Sequence, residues 1–172
     1  MSSDVSSTDA QLSKGRLLQA VLLAWLVTLG VDFFLHAGLL NDVYTAESPF
    51  LLPPERAFQL IPLGYLSFLI LSAFLVWLLV RLGIRDARSA GKIGLLFGFV
   101  VWGALTLGLL SIASADPMLL LAWWLGQSLE LGIGGVVAGY VIGGADLRKA
   151  WAGVVVVVFI LLAAGILLQN IF

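Results

Sequence analysis

Asp32 and His36 stand four residues apart in the apolar run VDFFLHAGLL, and His36 is the only histidine among 172 residues. On a helix this spacing stacks the two side chains on one face, about one turn apart and within reach of each other. A carboxylate beside an imidazole has three uses. The pair can handle a proton or a polar solute. A neutral imidazole, its ring held by the carboxylate, can be the axial ligand of a haem or chlorophyll metal. Or the pair is a hydrogen-bonded tie between helices. In each case Asp32 faces protein, because turning it toward lipid costs on the order of a few kcal/mol.

A second costly group is Glu130, at the middle of another apolar run. Trp123, Gln127, Glu130 and Gly134 follow the 4, 3, 4 spacing of one helix face, so that face is polar at its centre. The carboxyl there is either protonated or bonded to a partner such as His36, Tyr65 or Gln127. Tyr65, in PLGY near the start of its run, is positioned to hydrogen-bond into the Asp32 region. The expected polar cluster is therefore Asp32, His36, Tyr65, Gln127 and Glu130.

The elements that must position these groups follow from hydropathy. Hydrophobic residues make up 61% of the chain and charged residues 11%, against roughly 25% charged in a soluble domain. This composition predicts an all-α integral membrane bundle. Five apolar runs, at about 17–40, 58–82, 93–114, 118–143 and 151–171, are each long enough to cross a bilayer as a helix. Residues 17–172 then form one membrane domain behind a polar tail, 1–16, whose acidic residues precede Lys14 and Arg16, unlike a cleaved signal peptide. The Pro53-Pro54 pair and the Asp116-Pro117 step separate runs.

Eight of the nine basic residues, all but Arg56, fall in the tail, the 81–92 connection or the 148–149 connection. With five spans these are on one side of the membrane, so the positive-inside rule predicts a cytoplasmic N-terminus and an external C-terminus. Glycines recur every fourth residue at Gly94 and Gly98 and at Gly135, Gly139 and Gly143, a spacing that lets helix backbones approach closely within one chain or between copies. The tryptophans suit interfacial belts.

Several functions are excluded or disfavoured. A net charge of −1 offers no basic patch for nucleic acid, and the absence of cysteine removes disulfides, thiolate nucleophiles, iron–sulfur clusters and Cys-based zinc sites. No phosphate loop, HExxH or GxSxG motif is present, and no serine in a strained turn accompanies Asp32 and His36. Neither an enzyme nor a metal site is predicted.

The segments FFLHAGLLNDVYTAE, PERAFQLIPLGYLSFLILSAFLVWLL and GKIGLLFGFVVW resemble those of small uncharacterised bacterial membrane proteins. In these an LHxxLL element ends the first span, a Tyr follows, and the second span carries a PxxxLGxLxF-like pattern. The resemblance covers about residues 20–105, departs at IPLGYLSF, and implies a bacterial inner-membrane location. The expected role is a non-enzymatic structural or accessory subunit that packs in a larger or self-associated membrane assembly, with lipid, other subunits or itself as partners. The alternatives are a proton-coupled small-solute carrier using Glu130 and Asp32/His36, or a haem- or chlorophyll-binding subunit using His36.

Overall fold

A computed structural model describes residues 12–46 and 48–171. They form α1 (Lys14–Asp32), a π-helical continuation (Phe33–Leu39), a short α2 (Asn41–Thr45), and then α3 (Pro54–Arg81), α4 (Ala87–Ile112), α5 (Pro117–Ile142) and α6 (Leu147–Gln169). Counting α1 with its continuation, five helices are long and apolar enough to cross a membrane. The chain is an all-helical bundle, as the five hydrophobic runs predict.

Helix ends differ from the apolar runs in a systematic way. α3, α4 and α6 each start four to six residues before the run that marks them, because their polar first turns are helical too. Asp86, Asp116 and Asp146 cap the last three helices, their carboxylates accepting from the amides of Ser89 (2.8 Å), Met118 (2.7 Å) and Arg148 (2.8 Å) respectively. Hydropathy reports the membrane-buried length; the caps set where the helix begins. Ser13 does the same for α1, accepting from the Arg16 amide at 3.2 Å. The last residues of the predicted polar tail, from Lys14, therefore belong to α1, and residues 1–11 lie outside the described residues. Gly83 and Gly144 end α3 and α5 with positive φ, 69° and 98°, a backbone that side chains rarely adopt.

α5 is the spine of the bundle. Two thirds of its most apolar window is buried against 17% for α6, although its mean hydropathy is 1.3 and that of α6 is 2.9. This inversion is what a membrane demands: apolar helices face lipid, and the helix carrying Gln127, Ser128, Glu130 and the glycines goes inside. Of the five valines 154–158, only Val154 is buried.

α4 lies along α5 with glycines on both facing sides. A Cβ on Gly98 would sit 2.7 Å from Ser128 Cα, one on Gly135 would sit 2.5 Å from Ala90 O, and those on Gly94, Gly139 and Gly143 would collide with Leu131 O, Ala90 Cβ and Arg85 O. α1 packs on the opposite side of α5 through Ala20, Leu23, Ala24, Val27 and Thr28, and Leu75 and Leu79 of α3 join that core. At the end of the bundle rich in Arg and Lys, the Arg16 guanidinium donates to Val141 O (2.8 Å) and Ala145 O (3.1 Å), closing the C-terminal turn of α5.

Candidate functional site

The i, i+4 pair expected from the sequence is formed: His36 Nδ1 is 2.7 Å from Asp32 Oδ1. Its backbone setting was not legible beforehand. His36 sits in the seven-residue π-helical stretch, where i→i+5 bonding, ending with Leu40 N to Leu35 O at 2.7 Å, widens the turn and re-aims the side chains on it. The ring then presents its other nitrogen to α5, where Nε2 stands 3.8 Å from Glu130 Oε1. Glu130 is fully buried.

Gln127, one turn before Glu130, ties the carboxylates together. Its amide donates to Asp32 Oδ1 at 3.4 Å and to Glu130 Oε1 at 3.5 Å. The Trp123–Gln127–Glu130–Gly134 face of α5 is thus turned to α1 and its π-helical end. Two elements, far apart in sequence, bring Asp32, His36, Gln127 and Glu130 into one cluster, and a ligand atom from each of the three ionisable groups lies within 4.8 Å of the others. The sequence predicts Glu130 in one polar cluster with Asp32 and His36, but not how closely their ligand atoms approach, and so no metal site.

Tyr65 is not part of this cluster. The residue is 42% exposed, and its backbone carbonyl accepts from Trp25 Nε1 of α1 at 2.9 Å. The reason is the path of α3. Residues 55–67 stand almost wholly off the bundle, and burial on α3 begins at Phe68.

Tyr44 occupies the place expected of Tyr65. Its ring centroid is 4.5 Å from that of His36, with Trp123 behind it at 6.4 Å and Phe50 a further 6.1 Å on. Burial, with the Glu130 and Asp32 carboxyls nearby adding to it, pushes the Tyr44 phenol well above its ordinary value, so the hydroxyl stays neutral. Tyr44 lies in a polar connection that reads as a loop, and only the short α2 turns it back over His36.

Gly126 is the other residue that sequence reasoning missed, although its position one turn before Glu130 was a usable signal. A Cβ there would stand 3.2 Å from His36 Nε2 and 4.0 Å from Glu130 Oε1. Its lack of a side chain leaves the approach to both atoms open.

Among the described residues, His36 Nε2, Glu130 Oε2, Gln127 Oε1 and the Tyr44 hydroxyl are buried without a hydrogen-bond partner. An unmatched buried polar group costs about 1–3 kcal/mol, so a purely structural tie would be expected to pair its atoms. Trp102 Nε1 is unmatched as well, but four such atoms belong to residues of this one cluster. A tetrapyrrole does not fit the cluster. It needs a slot as wide as the macrocycle beside Nε2, and Nε2 instead faces Glu130 Oε1 at 3.8 Å.

No protein-family model, curated protein or solved structure matches the chain.

Proposed function

We propose that this chain is a small, non-enzymatic membrane protein of the carrier class, which takes up a cation, a proton or a metal ion, at the Asp32–His36–Glu130 cluster and couples it to movement of a solute. One observation carries this reading: His36 Nε2 and Glu130 Oε2 are buried and unmatched in a cluster where ligand atoms of Asp32, His36 and Glu130 lie within 4.8 Å of one another. Two carboxylates and one imidazole cannot all hold charge in that setting without a counter-ion, because burying unpaired charge is far costlier than burying a neutral group. A cation that enters and leaves meets the need. The test is charge displacement in reconstituted vesicles after separate jumps of proton and of Zn²⁺ concentration. A transient current in the wild type that Glu130→Gln abolishes supports the carrier, and a current identical in Glu130→Gln, or none in the wild type, removes it.

The accessory-subunit reading has its own support in the exposed apolar first half of α3, including Phe58, Leu63 and Leu66. It predicts partner mass in native mass spectrometry after mild extraction; bare monomer counts against it. In this reading the glycine faces serve within the chain, since Gly98 and Gly135 already meet α5 and α4. The membrane proposed is a bacterial inner membrane, with the basic end of the bundle in the cytoplasm. Protease accessibility of epitopes at the two termini of inverted vesicles tests the orientation.

A further inference from the structure

We propose that the cation held by this cluster is a divalent transition-metal ion of the zinc class, ligated by His36 Nε2 and Glu130 with Asp32 orienting the imidazole. The inference rests on the cation-handling reading above and narrows it to one kind of ion.

Three geometric features point to a metal. First, Asp32 Oδ1 at 2.7 Å from His36 Nδ1 fixes the proton of a neutral ring on Nδ1 and leaves the Nε2 lone pair free. A carboxylate behind the histidine is the usual outer partner of a metal-bound imidazole. Second, Nε2 and Glu130 Oε1 are 3.8 Å apart, too far for a hydrogen bond. Two ligands sharing a tetrahedral zinc at about 2.0–2.2 Å stand about 3.4 Å apart, so a small rotation of either side chain brings both onto one ion. Third, Glu130 is fully buried with Oε2 unmatched, Gln127 Oε1 is unmatched as well, and Gly126 puts no side chain beside His36 Nε2 and Glu130 Oε1.

Charge and donor type choose the ion. The carboxylates of Asp32 and Glu130 with a neutral imidazole balance one dication, whereas a monovalent ion leaves an uncompensated negative charge in the membrane. Magnesium and calcium take all-oxygen shells of six or more ligands, whereas one of the two protein ligands here is an imidazole nitrogen. Copper(I) favours sulfur, and the chain has no cysteine. Zinc, or cobalt(II) in its place, suits a mixed nitrogen and oxygen set.

The chain lends itself to a clean test, because His36 is its only histidine and it has no cysteine. Tag-free full-length protein in mild detergent is titrated with Zn²⁺ by calorimetry and with Co²⁺ by visible absorption. The expected result is one ion per chain, with a d–d spectrum showing nitrogen ligation and no competition from Mg²⁺. Asp32→Asn should weaken binding by about 10–100-fold, as loss of an outer partner does, and His36→Gln should weaken it further. Gly126→Ala, which removes no ligand, should also weaken it. Wild-type protein that takes up no Zn²⁺, or His36→Gln protein that binds it as tightly as wild type, overturns the proposal. If Zn²⁺ binding is absent while a proton-jump current that depends on Glu130 persists, the metal is wrong and the carrier reading stands. If both are absent, both fail.

Discussion

The Tyr44 ring lies over the imidazole of His36, centroids 4.5 Å apart and planes tilted by 41°, and also lines a cleft of about 910 Å³ at the loop end of the bundle. Tyr44 lines that cleft together with Ser48, Pro49, Leu52 and Pro53. One residue therefore touches both the histidine and that opening. Tyr44→Ala is expected to raise the rate of diethyl pyrocarbonate modification of His36 several-fold, whereas Tyr44→Phe, which keeps the ring, leaves the rate nearly unchanged. Modification is readable without ambiguity because no second histidine exists. Equal rates in wild type and Tyr44→Ala would show that the ring is not the barrier.

The glycines of α4 and α5 are not equivalent, and substitution separates them. A Cβ at Gly98 meets Ser128 Cα at 2.7 Å, a backbone atom that can yield only if the helices part. Overpacking of this kind costs about 1–3 kcal/mol. Gly108, on the same helix, has nothing within 4 Å of its would-be Cβ. Gly98→Ala should lower the thermal midpoint in detergent, and Gly108→Ala should leave it level or raise it slightly, since alanine is the better helix former. Equal effects at the two positions would mean that the close contact between α4 and α5 is not what those glycines provide.

How much of this was readable in the sequence depends on the scale of the feature. The five spans were, because twenty-odd apolar residues leave few other structures open in a membrane. The Asp32–His36 contact was as well, since an i, i+4 spacing is local. The convergence of Glu130 and Gln127 on that pair depends on how α1 packs against α5; the polar face of α5 offers His36, Tyr65 and Gln127 as partners of Glu130 without choosing among them. Tyr65 was misplaced for the same reason: its position along α3 was right, but α3 leaves the bundle before Phe68. The π-helical stretch has no residue signature in FFLHAGL. Within it Gly38 approaches Gly165 so closely that a Cβ would lie 2.8 Å from Gly165 Cα.

Arg16 offers a test of the basic end. Its guanidinium donates to two carbonyls at the end of α5, Val141 O and Ala145 O, and places positive charge at the negative end of that helix. Loss of hydrogen bonds from a charged donor costs about 1.5–3 kcal/mol. Arg16→Ala should lower the thermal midpoint, and Arg16→Lys should recover only part of the loss, because both bonds come from Nη1, which lies one bond further from the backbone than a lysine Nζ. Full recovery by Lys would reduce the role of Arg16 to charge alone.

The cap of α4 gives a prediction with a sign in pH. The Asp86 carboxylate accepts from the Ser89 amide at 2.8 Å, and that bond holds the carboxyl below its ordinary value of 3.8. A group whose folded pKa is depressed adds stability above its unfolded pKa, and the contribution fades as pH falls through the folded one. Asp86 is fully exposed, so the effect is small and screened by salt. Asp86→Ala should therefore melt below the wild type at neutral pH, and the gap should close as the pH is lowered past the ordinary carboxyl range. Melting curves of the two proteins across that range, at low ionic strength, are the check. A gap that persists in strong acid would place the effect in the backbone geometry of residue 86, whose carbonyl accepts from Ala90 at 3.0 Å whatever its side chain carries.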